Sequence, residues 1–150
     1  ILTGRLDGPA PVLVPSTGAA AGAIGDCLDP DSDPGNRWRE IDGCSERMRT
    51  RMRKAQNEAG SRCFWNNVSE ARGRRLDEPC PTSTTQSGTQ WNLLDGDRCR
   101  VMNPREIARS MSFPETYQLP PQRGLAGKLI GNAMDCKLAE GVVAQVLAAA

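Results

Sequence analysis

The spacing of hydrophobic residues predicts three helices. In the first, Met48, Met52 and Ala55 share one face, and the pattern ends near residue 59. Ser45 directly precedes this stretch and is a suitable N-cap. The rest of the helix surface is rich in cations: Arg47, Arg49, Arg51, Arg53 and Lys54. We favour a solvated charged surface for these cations, and contact with a phosphate backbone is the alternative.

The second predicted helix has a signal at each of its ends. Asn103 can cap it, and Pro104 suits the first helical position, where no N–H is needed. Glu106 falls three residues after the cap, where its carboxylate can accept a hydrogen bond from the cap backbone. Pro114 disfavours a helical residue before it, so the helix should have ended by about residue 113.

The third predicted helix runs from about residue 135 to residue 148 and has the clearest amphipathic pattern in the chain. Its apolar face consists of Leu138, Val142, Val143, Val146 and Leu147. Polar residues such as Lys137 and Glu140 lie off that face. A face of this kind needs to be buried against another surface.

Helical spacing is lost between residues 62 and 94. Residues 63–65 and 91–94 are predicted to be short strands, and turn-prone residues and a Ser/Thr cluster lie between them. Near the start of the chain, residues 1–13 are predicted to be extended. Residues 16–36 are rich in Gly, Ala, Asp and Pro and predict a long loop or a poorly ordered insertion. Together these elements predict an α+β fold.

The composition limits the size of the core and the strength of the overall electrostatic field. With 38% hydrophobic and 4% aromatic residues, 150 residues can bury one modest core. The net charge of +1 gives no general attraction to nucleic acid. Most of the cations are arginines, however, and they cluster at residues 47–54 and 72–75. Arginine binds guanine edges and phosphates in a bidentate manner.

The six cysteines are spread singly along the chain: Cys27, Cys44, Cys63, Cys80, Cys99 and Cys136. There is no histidine and no Cys-x-x-Cys pair, so a zinc site is not expected. We find no signal segment at the start and no apolar run long enough to span a membrane. We therefore expect reduced thiols and a cytoplasmic location.

Residues 100–114 resemble motif IX of the cytosine-5 DNA methyltransferases. The matching residues are Arg100, Met102, Asn103, Arg105, Glu106, Ala108, Arg109, Phe113 and Pro114. Asn103 replaces the family's threonine and is an equally good cap, whereas Ser112 stands where the family has glycine. The resemblance implies that Arg100, Asn103, Arg105 and Glu106 form a structural motif that packs two domains together.

Residues 129–134, Leu-Ile-Gly-Asn-Ala-Met, are similar to motif X of the same family. The prolines that usually follow are replaced by Asp135 and Cys136. The resemblance implies that Gly131, Asn132 and Ala133 contact S-adenosylmethionine once a catalytic half is present. From the residue pattern alone, an ordinary Gly-Asn turn before a helix is the simpler interpretation.

Residues 78–85 are similar to the segment that closes the family's target-recognition domain, and residues 1–5 to the end of its motif VIII strand. In the family this domain makes the sequence-specific contacts in the major groove of DNA. We predict DNA contacts at Arg62, Arg72, Arg74, Arg75, Thr82, Thr84 and Gln86. Thr82 corresponds to the family threonine that holds the DNA backbone beside the flipped cytosine. Composition alone would favour an ordinary Ser/Thr-rich loop.

The family's catalytic motifs have no counterpart in the sequence. Cys80 follows a proline, as the family nucleophile does, but it lies in the recognition segment, and we interpret it as structural. The Glu-Asn-Val acid and the Gly-rich donor loop are also absent. The resemblance therefore implies a carboxyl-terminal part of a methyltransferase. Its C-terminal helices would pack on a Rossmann-like core that this chain lacks.

We divide the chain into a strand end and linker at residues 1–44, a target-recognition region at 45–98 and a motif IX/X helical segment at 99–150. Three hypotheses remain. The chain is the DNA-recognition part of a methyltransferase, which acts on double-stranded DNA only with a catalytic subunit or an N-terminal half. Alternatively, it is a stand-alone DNA-binding module or degenerate remnant. The third hypothesis, a secreted protein held by disulfides, depends only on the cysteine count.

Overall fold

The computed structural model of the protein describes residues 22–68 and 72–148. Within these ranges the fold is α+β, as predicted, with one antiparallel sheet and helices packed against both of its faces. The strands are β1 (Arg39–Glu40), β2 (Arg62–Asn66), β3 (Gly73–Arg74), β4 (Trp91–Asp95) and β5 (Arg98–Val101). The helices are α1 (Glu46–Ala59), α2 (Ser87–Gln90), α3 (Pro104–Ser110), α4 (Arg123–Gly131) and α5 (Cys136–Ala148).

The sheet has the strand order β1-β5-β4-β2-β3. Strands β2 and β4 confirm the two strands predicted at residues 63–65 and 91–94, and they pair with Phe64 opposite Leu93. Strand β5 was not expected. It follows β4 through a two-residue turn in which Gly96 has a φ of +57°. The two loop residues are Gly96 and Asp97, and a glycine at the first position of such a loop is a common hairpin signal that could have indicated this strand.

Alternation along the strands divides the buried side chains between two cores. On one face α1 covers a core of Ile41, Met52, Ala55, Cys63, Trp65, Leu94 and Cys99. Helix α1 confirms the helix predicted after Ser45, although the Ser45 side chain makes no capping hydrogen bond. Gly73 lets β3 pass close to this helix, since a Cβ there would lie 2.1 Å from the carbonyl oxygen of Ala55.

The opposite face carries the second core, formed with α3, α4 and a 3-10 turn at Ile24–Cys27. Its buried members are Ile24, Phe64, Trp91, Met102, Ile107, Ala108 and Ile130. Residues 22–36, the described part of the predicted 16–36 loop, are mostly irregular, but Ile24 is fully buried in this core. That burial was not expected from the Gly- and Asp-rich composition.

The C-terminal part contains one predicted and one unpredicted helix. Helix α5 confirms the amphipathic helix predicted at residues 135–148. Helix α4 was missed. It packs closely on α2, because a Cβ on Gly127 would lie 3.3 Å from the Cα of Gly88. In the described ranges no helix has the length and apolar character needed to cross a membrane. The expectations for residues 1–5 and 1–13 lie outside the described residues.

Candidate functional site

The capping box at the start of α3 is formed as predicted. The side-chain oxygen of Asn103 accepts a hydrogen bond from the backbone N–H of Glu106 at 3.0 Å. In return the Glu106 carboxylate accepts from the backbone N–H of Asn103 at 2.8 Å. Pro104 occupies the first turn of the helix. These two reciprocal bonds satisfy donors that a helix start would otherwise leave unpaired.

Glu106 also forms a buried ion pair with Arg100, the last arginine of β5. Both guanidinium nitrogens Nη1 and Nη2 donate to the carboxylate at 2.7 Å, and both side chains are fully buried. A bidentate geometry of this kind is the strongest arrangement for such a pair. Removing two charges from water is costly. The pair can hold β5 and α3 together only if further hydrogen bonds satisfy the remaining acceptor sites of the Glu106 carboxylate.

Asp29, which comes from the irregular segment after the 3-10 turn, completes this network. Its backbone N–H donates to Glu106 at 2.9 Å, and its carboxylate accepts from the Asn103 side chain at 2.7 Å. Arg109 donates to the other carboxylate oxygen. Each oxygen of Glu106 therefore accepts two hydrogen bonds, which is the full capacity of a carboxylate. Sequence reasoning missed Asp29, since nothing local to it signals a partner more than 70 residues away.

Electrostatics reinforce the role of Asp29. Burial by itself would raise the pKa of the Asp29 carboxyl, but the hydrogen bonds from Asn103 and Arg109 outweigh it, so the pKa is lowered. The guanidinium of Arg109 also donates to Glu115 at 2.6 Å and to the carbonyl of Cys27 at 3.1 Å. Hydrogen bonding to Glu115 and Asp29 raises the pKa of Arg109, and the cation is secured at this junction.

The other motif IX arginine, Arg105, lies on the surface and anchors the segment after α3. It donates to the carbonyls of Pro114 at 3.4 Å and Tyr117 at 2.7 Å. The turn between them and α3 contains Ser112, which has a φ of +57°. Among the described residues it is the one non-glycine residue in the left-handed region, and it occupies the position where the family motif has glycine.

Two departures from the family motifs contact each other. The hydroxyl of Ser112 donates to the carboxylate of Asp135 at 3.0 Å. The other carboxylate oxygen of Asp135 accepts from the backbone N–H of Leu138 at 3.0 Å and so caps α5. The aspartate that replaces the family's proline therefore has a structural use, since it joins the end of α3 to the start of α5.

The predicted DNA-contacting arginines all lie beside acidic residues. Arg62 forms a bidentate pair with Asp31, at 2.7 and 2.9 Å. Both Arg72 and Arg74 lie near Glu78, at 3.0 and 3.7 Å. Arg75 is paired with the neighbouring Asp77. These ion pairs are at least partly exposed, and exposed pairs contribute little stability, so a phosphate could exchange with the carboxylates at low cost.

The predicted hydroxyl and amide contacts lie in the loop before α2, which we call the recognition loop (residues 81–86). Thr82, Thr84 and Gln86 are all exposed there. The loop is ordered by its own hydrogen bonds, since the backbone N–H of Thr84 donates to the Ser87 hydroxyl at 2.8 Å. Its polar side chains therefore face solvent from a fixed backbone.

The motif X residues lie at the end of α4, directly against the recognition loop. Helix α4 ends at Gly131, and Asn132 is its C-cap. A Cβ on Gly131 would lie 2.2 Å from the carbonyl carbon of Thr84 and 2.4 Å from the backbone nitrogen of Thr85. The glycine is needed for this backbone contact, which sequence reasoning did not anticipate. The Asn132 side chain is exposed and faces away from the core.

The structure leaves seven large apolar side chains exposed on and between the last two helices, and we call them the α4–α5 apolar surface. No residue of α5 is buried, in contrast to the other long helices of the described ranges. Leu147 is 72% and Met134 61% exposed. The remaining members are Leu125, Leu129, Leu138, Val143 and Val146. Exposed apolar side chains in such number are typical of an interaction surface.

Comparison with known proteins identifies the family. Residues 24–148 match the family model for C-5 cytosine-specific DNA methylases. Over 81 residues the chain is 37% identical to the Type II methyltransferase M.Sau96I of Staphylococcus aureus, an alignment that covers 51% of this chain and 19% of that protein. No solved structure matches the chain. Since the family match extends over most of its length, the chain belongs to the C-5 cytosine-specific DNA methylase family.

Proposed function

We propose that this chain supplies the DNA-recognition and domain-completing part of a cytosine-5 DNA methyltransferase. Methyl transfer from S-adenosylmethionine to cytosine would then require a catalytic part that carries motifs I to VII, on the same or on a second polypeptide. The observation that carries the proposal is the α4–α5 apolar surface, which the described residues leave uncovered although its helix pattern is that of a buried face.

The motif IX network supports the domain-completing role. Asn103, Glu106 and Arg100 join the sheet to α3, and Asp29 joins both to the segment that precedes β1. The sheet, α3 and the segment before β1 are therefore held together by buried hydrogen bonds and an ion pair. A rigid connection is what a recognition domain needs if its contacts with DNA are to position a base for chemistry elsewhere.

The recognition loop and its neighbouring arginines support DNA binding. Thr82, Thr84 and Gln86 present hydroxyls and an amide to solvent, and such groups bind phosphates and base edges. Arg62, Arg72, Arg74 and Arg75 add guanidinium groups whose carboxylate partners are at least partly exposed. Because guanidinium groups that bind phosphates release the counterions condensed on DNA, binding should weaken as the salt concentration rises.

The end of α4 supports a contact with the methyl donor. Asn132 and Ala133 follow the last turn of α4, and the exposed Asn132 amide is free to turn toward a ligand bound on the catalytic part. S-adenosylmethionine supplies the electrophilic methyl group. Gly131 would act indirectly, by holding this turn against Thr84 and Thr85 and so linking donor contact to DNA contact.

Reconstitution tests the proposal. The chain alone, incubated with labelled S-adenosylmethionine and DNA, should transfer no methyl groups, whereas the chain mixed with a catalytic part of the same family should transfer them. Leu138→Asp should prevent assembly of the pair, as measured by gel filtration, because it places a charge in the apolar surface. Lys137→Asp, on the adjacent polar position, is the matched control and should leave assembly intact.

The stand-alone DNA-binding module is the alternative. It predicts sequence-specific DNA binding by the isolated chain, with no change on addition of a catalytic part. Turnover by the chain alone would contradict both hypotheses. In the assembled enzyme, Asn132→Ala should weaken donor affinity measured by calorimetry and leave DNA binding unchanged.

A further inference from the structure

Cys27 and Cys80 form a thiol pair, with their Sγ atoms 3.9 Å apart. Cys27 ends the 3-10 turn, and Cys80 directly precedes the recognition loop. The two segments are joined beside the thiols by an isolated antiparallel bridge between Ala23 and Pro79. Residues 53 positions apart in sequence are thus held side by side by backbone hydrogen bonds.

Both thiols line an open cavity of about 580 Å³. The cavity lies between the 3-10 turn, the end of α3 and the start of α5, and its other lining residues include Arg109, Ser112 and Lys137. Cys27 is buried and Cys80 is partly buried, so only a small reagent can reach them. A peroxide molecule is small enough to enter such a cavity.

The surroundings activate one thiol of the pair. The hydrogen bond with Cys80 lowers the pKa of Cys27 despite its burial and the nearby Asp26, and the Arg109 guanidinium acts in the same direction. The same hydrogen bond and burial raise the pKa of Cys80. Elsewhere burial raises the pKa of Cys63 to about 11, and burial with two neighbouring carboxylates raises that of Cys136.

We propose that Cys27 and Cys80 are a site of reversible oxidation by peroxides and form a disulfide in the folded protein. The Cys27 thiolate attacks one peroxide oxygen, and the O–O bond breaks. This step leaves a sulfenic acid on Cys27 and a hydroxide that takes up the displaced thiol proton as water. The Cys80 sulfur then attacks the Cys27 sulfur, the S–O bond breaks, and a second water leaves with the Cys80 proton.

Overall, two thiols and one hydrogen peroxide molecule give one disulfide and two water molecules. Both sulfurs are oxidised and both peroxide oxygens are reduced. A disulfide bond is about 2.05 Å long, so the sulfur atoms must approach by roughly 2 Å, a movement within the range of side-chain rotation. A small-molecule thiol such as dithiothreitol would reverse the reaction by exchange. The disulfide would tie the 3-10 turn to the base of the recognition loop.

Peptide mapping of the full chain tests the proposal. The folded protein is treated with hydrogen peroxide, then unfolded in urea, alkylated with N-ethylmaleimide and digested with trypsin. Cleavage after arginine leaves Cys27 within residues 6–37 and Cys80 within residues 76–98, each the single cysteine of its peptide. We expect these two peptides to be joined before reduction and separate after it, with the other four cysteines alkylated.

Two variants sharpen the result. Cys136→Ser, which removes a partly buried thiol elsewhere, should leave the cross-link yield unchanged. Cys80→Ser should abolish the cross-link and leave a Cys27 sulfenic acid that dimedone traps. The mapping of the unaltered chain is decisive by itself if Cys80→Ser fails to fold. The proposal is overturned if both thiols remain alkylatable, if another pair links in preference, or if protein unfolded in urea gives the same yield.

Discussion

The hydroxyl of Ser112 donates to the carboxylate of Asp135 at 3.0 Å, and both residues stand where the chain departs from the family motifs. Ser112 replaces a glycine and has a φ of +57°, which is unfavourable for a residue with a Cβ. Asp135 replaces a proline and caps α5. The two departures thus stabilise one another, which favours a folded working domain over a degenerate remnant.

The first prediction concerns the strain at Ser112. Ser112→Ala should be less stable than Ser112→Gly by about 1 kcal/mol, because both variants lose the hydrogen bond to Asp135 but only glycine relieves the positive φ. Urea unfolding measures the difference. The same comparison at Ser110, which lies in α3, should have the opposite sign, since glycine weakens a helix. Equal stability of the two Ser112 variants would show that the positive φ at residue 112 does not strain the backbone.

The second prediction concerns the buried pair of Arg100 and Glu106. Glu106→Gln should cost roughly 3 kcal/mol, because it leaves a buried guanidinium without a counter-charge. Glu140→Gln, an exposed change on α5, should stay within about 0.5 kcal/mol. In a double-mutant cycle with Arg100→Met, the double variant should lose less stability than the sum of the single variants. Strictly additive losses would show that the two side chains do not interact.

The third prediction concerns the pH dependence of stability through Asp29. Folding lowers the pKa of this carboxyl, so its ionised form stabilises the fold above the unfolded-state pKa, and the contribution is lost as pH falls through the folded-state pKa. Stability should therefore fall as pH drops below about 4. Asp29→Asn should be less stable at neutral pH, and its free energy of unfolding should fall less steeply as the pH is lowered.

Asp31→Asn provides the comparison for this pH effect. Its hydrogen bond with Arg62 also lowers the pKa of Asp31, but the pair is more exposed, so solvent screens it and the change in slope should be smaller. Urea unfolding at a series of pH values measures both variants. If the stability of Asp29→Asn declined at low pH as steeply as that of the unaltered protein, the Asp29 carboxylate would not contribute to the stability of the network.

The fourth prediction separates two glycines of α4. Gly131→Ala should destabilise the fold by about 1–3 kcal/mol, because its Cβ would overlap the backbone of Thr84. Gly124→Ala meets no atom within 4 Å and should be neutral or stabilising by up to about 1 kcal/mol. If Gly131 also positions the recognition loop, its variant should bind DNA more weakly at a temperature where it is still folded. Equal stability of the two variants would refute the close contact.

The fifth prediction concerns what the recognition loop does on DNA. Thr82→Ala in the assembled enzyme should weaken binding by about 1.5 kcal/mol to specific and unrelated DNA alike, because a phosphate contact positions the protein without distinguishing bases. Thr50→Ala, an exposed threonine on α1, is the control and should have no effect. Fluorescence anisotropy measures the affinity for each DNA. The ratio of the two affinities should be the same in Thr82→Ala as in the unaltered protein.

The source of specificity is tested by exchanging a segment. Replacement of residues 62–90 with the segment of a methyltransferase that recognises another site should transfer the specificity with it. A preferred site that does not change after the exchange would place base recognition outside this region.

Local chemistry determined several features that the sequence predicted correctly. The Asn103 box, the helix after Ser45 and α5 each depend on contacts within about one helical turn or on a repeating apolar face, so the information lies in neighbouring residues. The strands β2 and β4 were found for a similar reason, because each has a short run of β-forming residues.

The tertiary structure decided how these elements meet. Asp29 reaches Asn103 and Arg109, Ser112 reaches Asp135, and Cys27 reaches Cys80, across 23 to 80 residues of sequence. No local pattern specifies such partners, since they depend on how the sheet and helices pack. Helix α4 was missed because close packing of glycines supports it, and in isolation glycine disfavours a helix. The sequence by itself determined the family and the elements that have a local signal, and packing between distant segments decided the remaining elements and the geometry of the site.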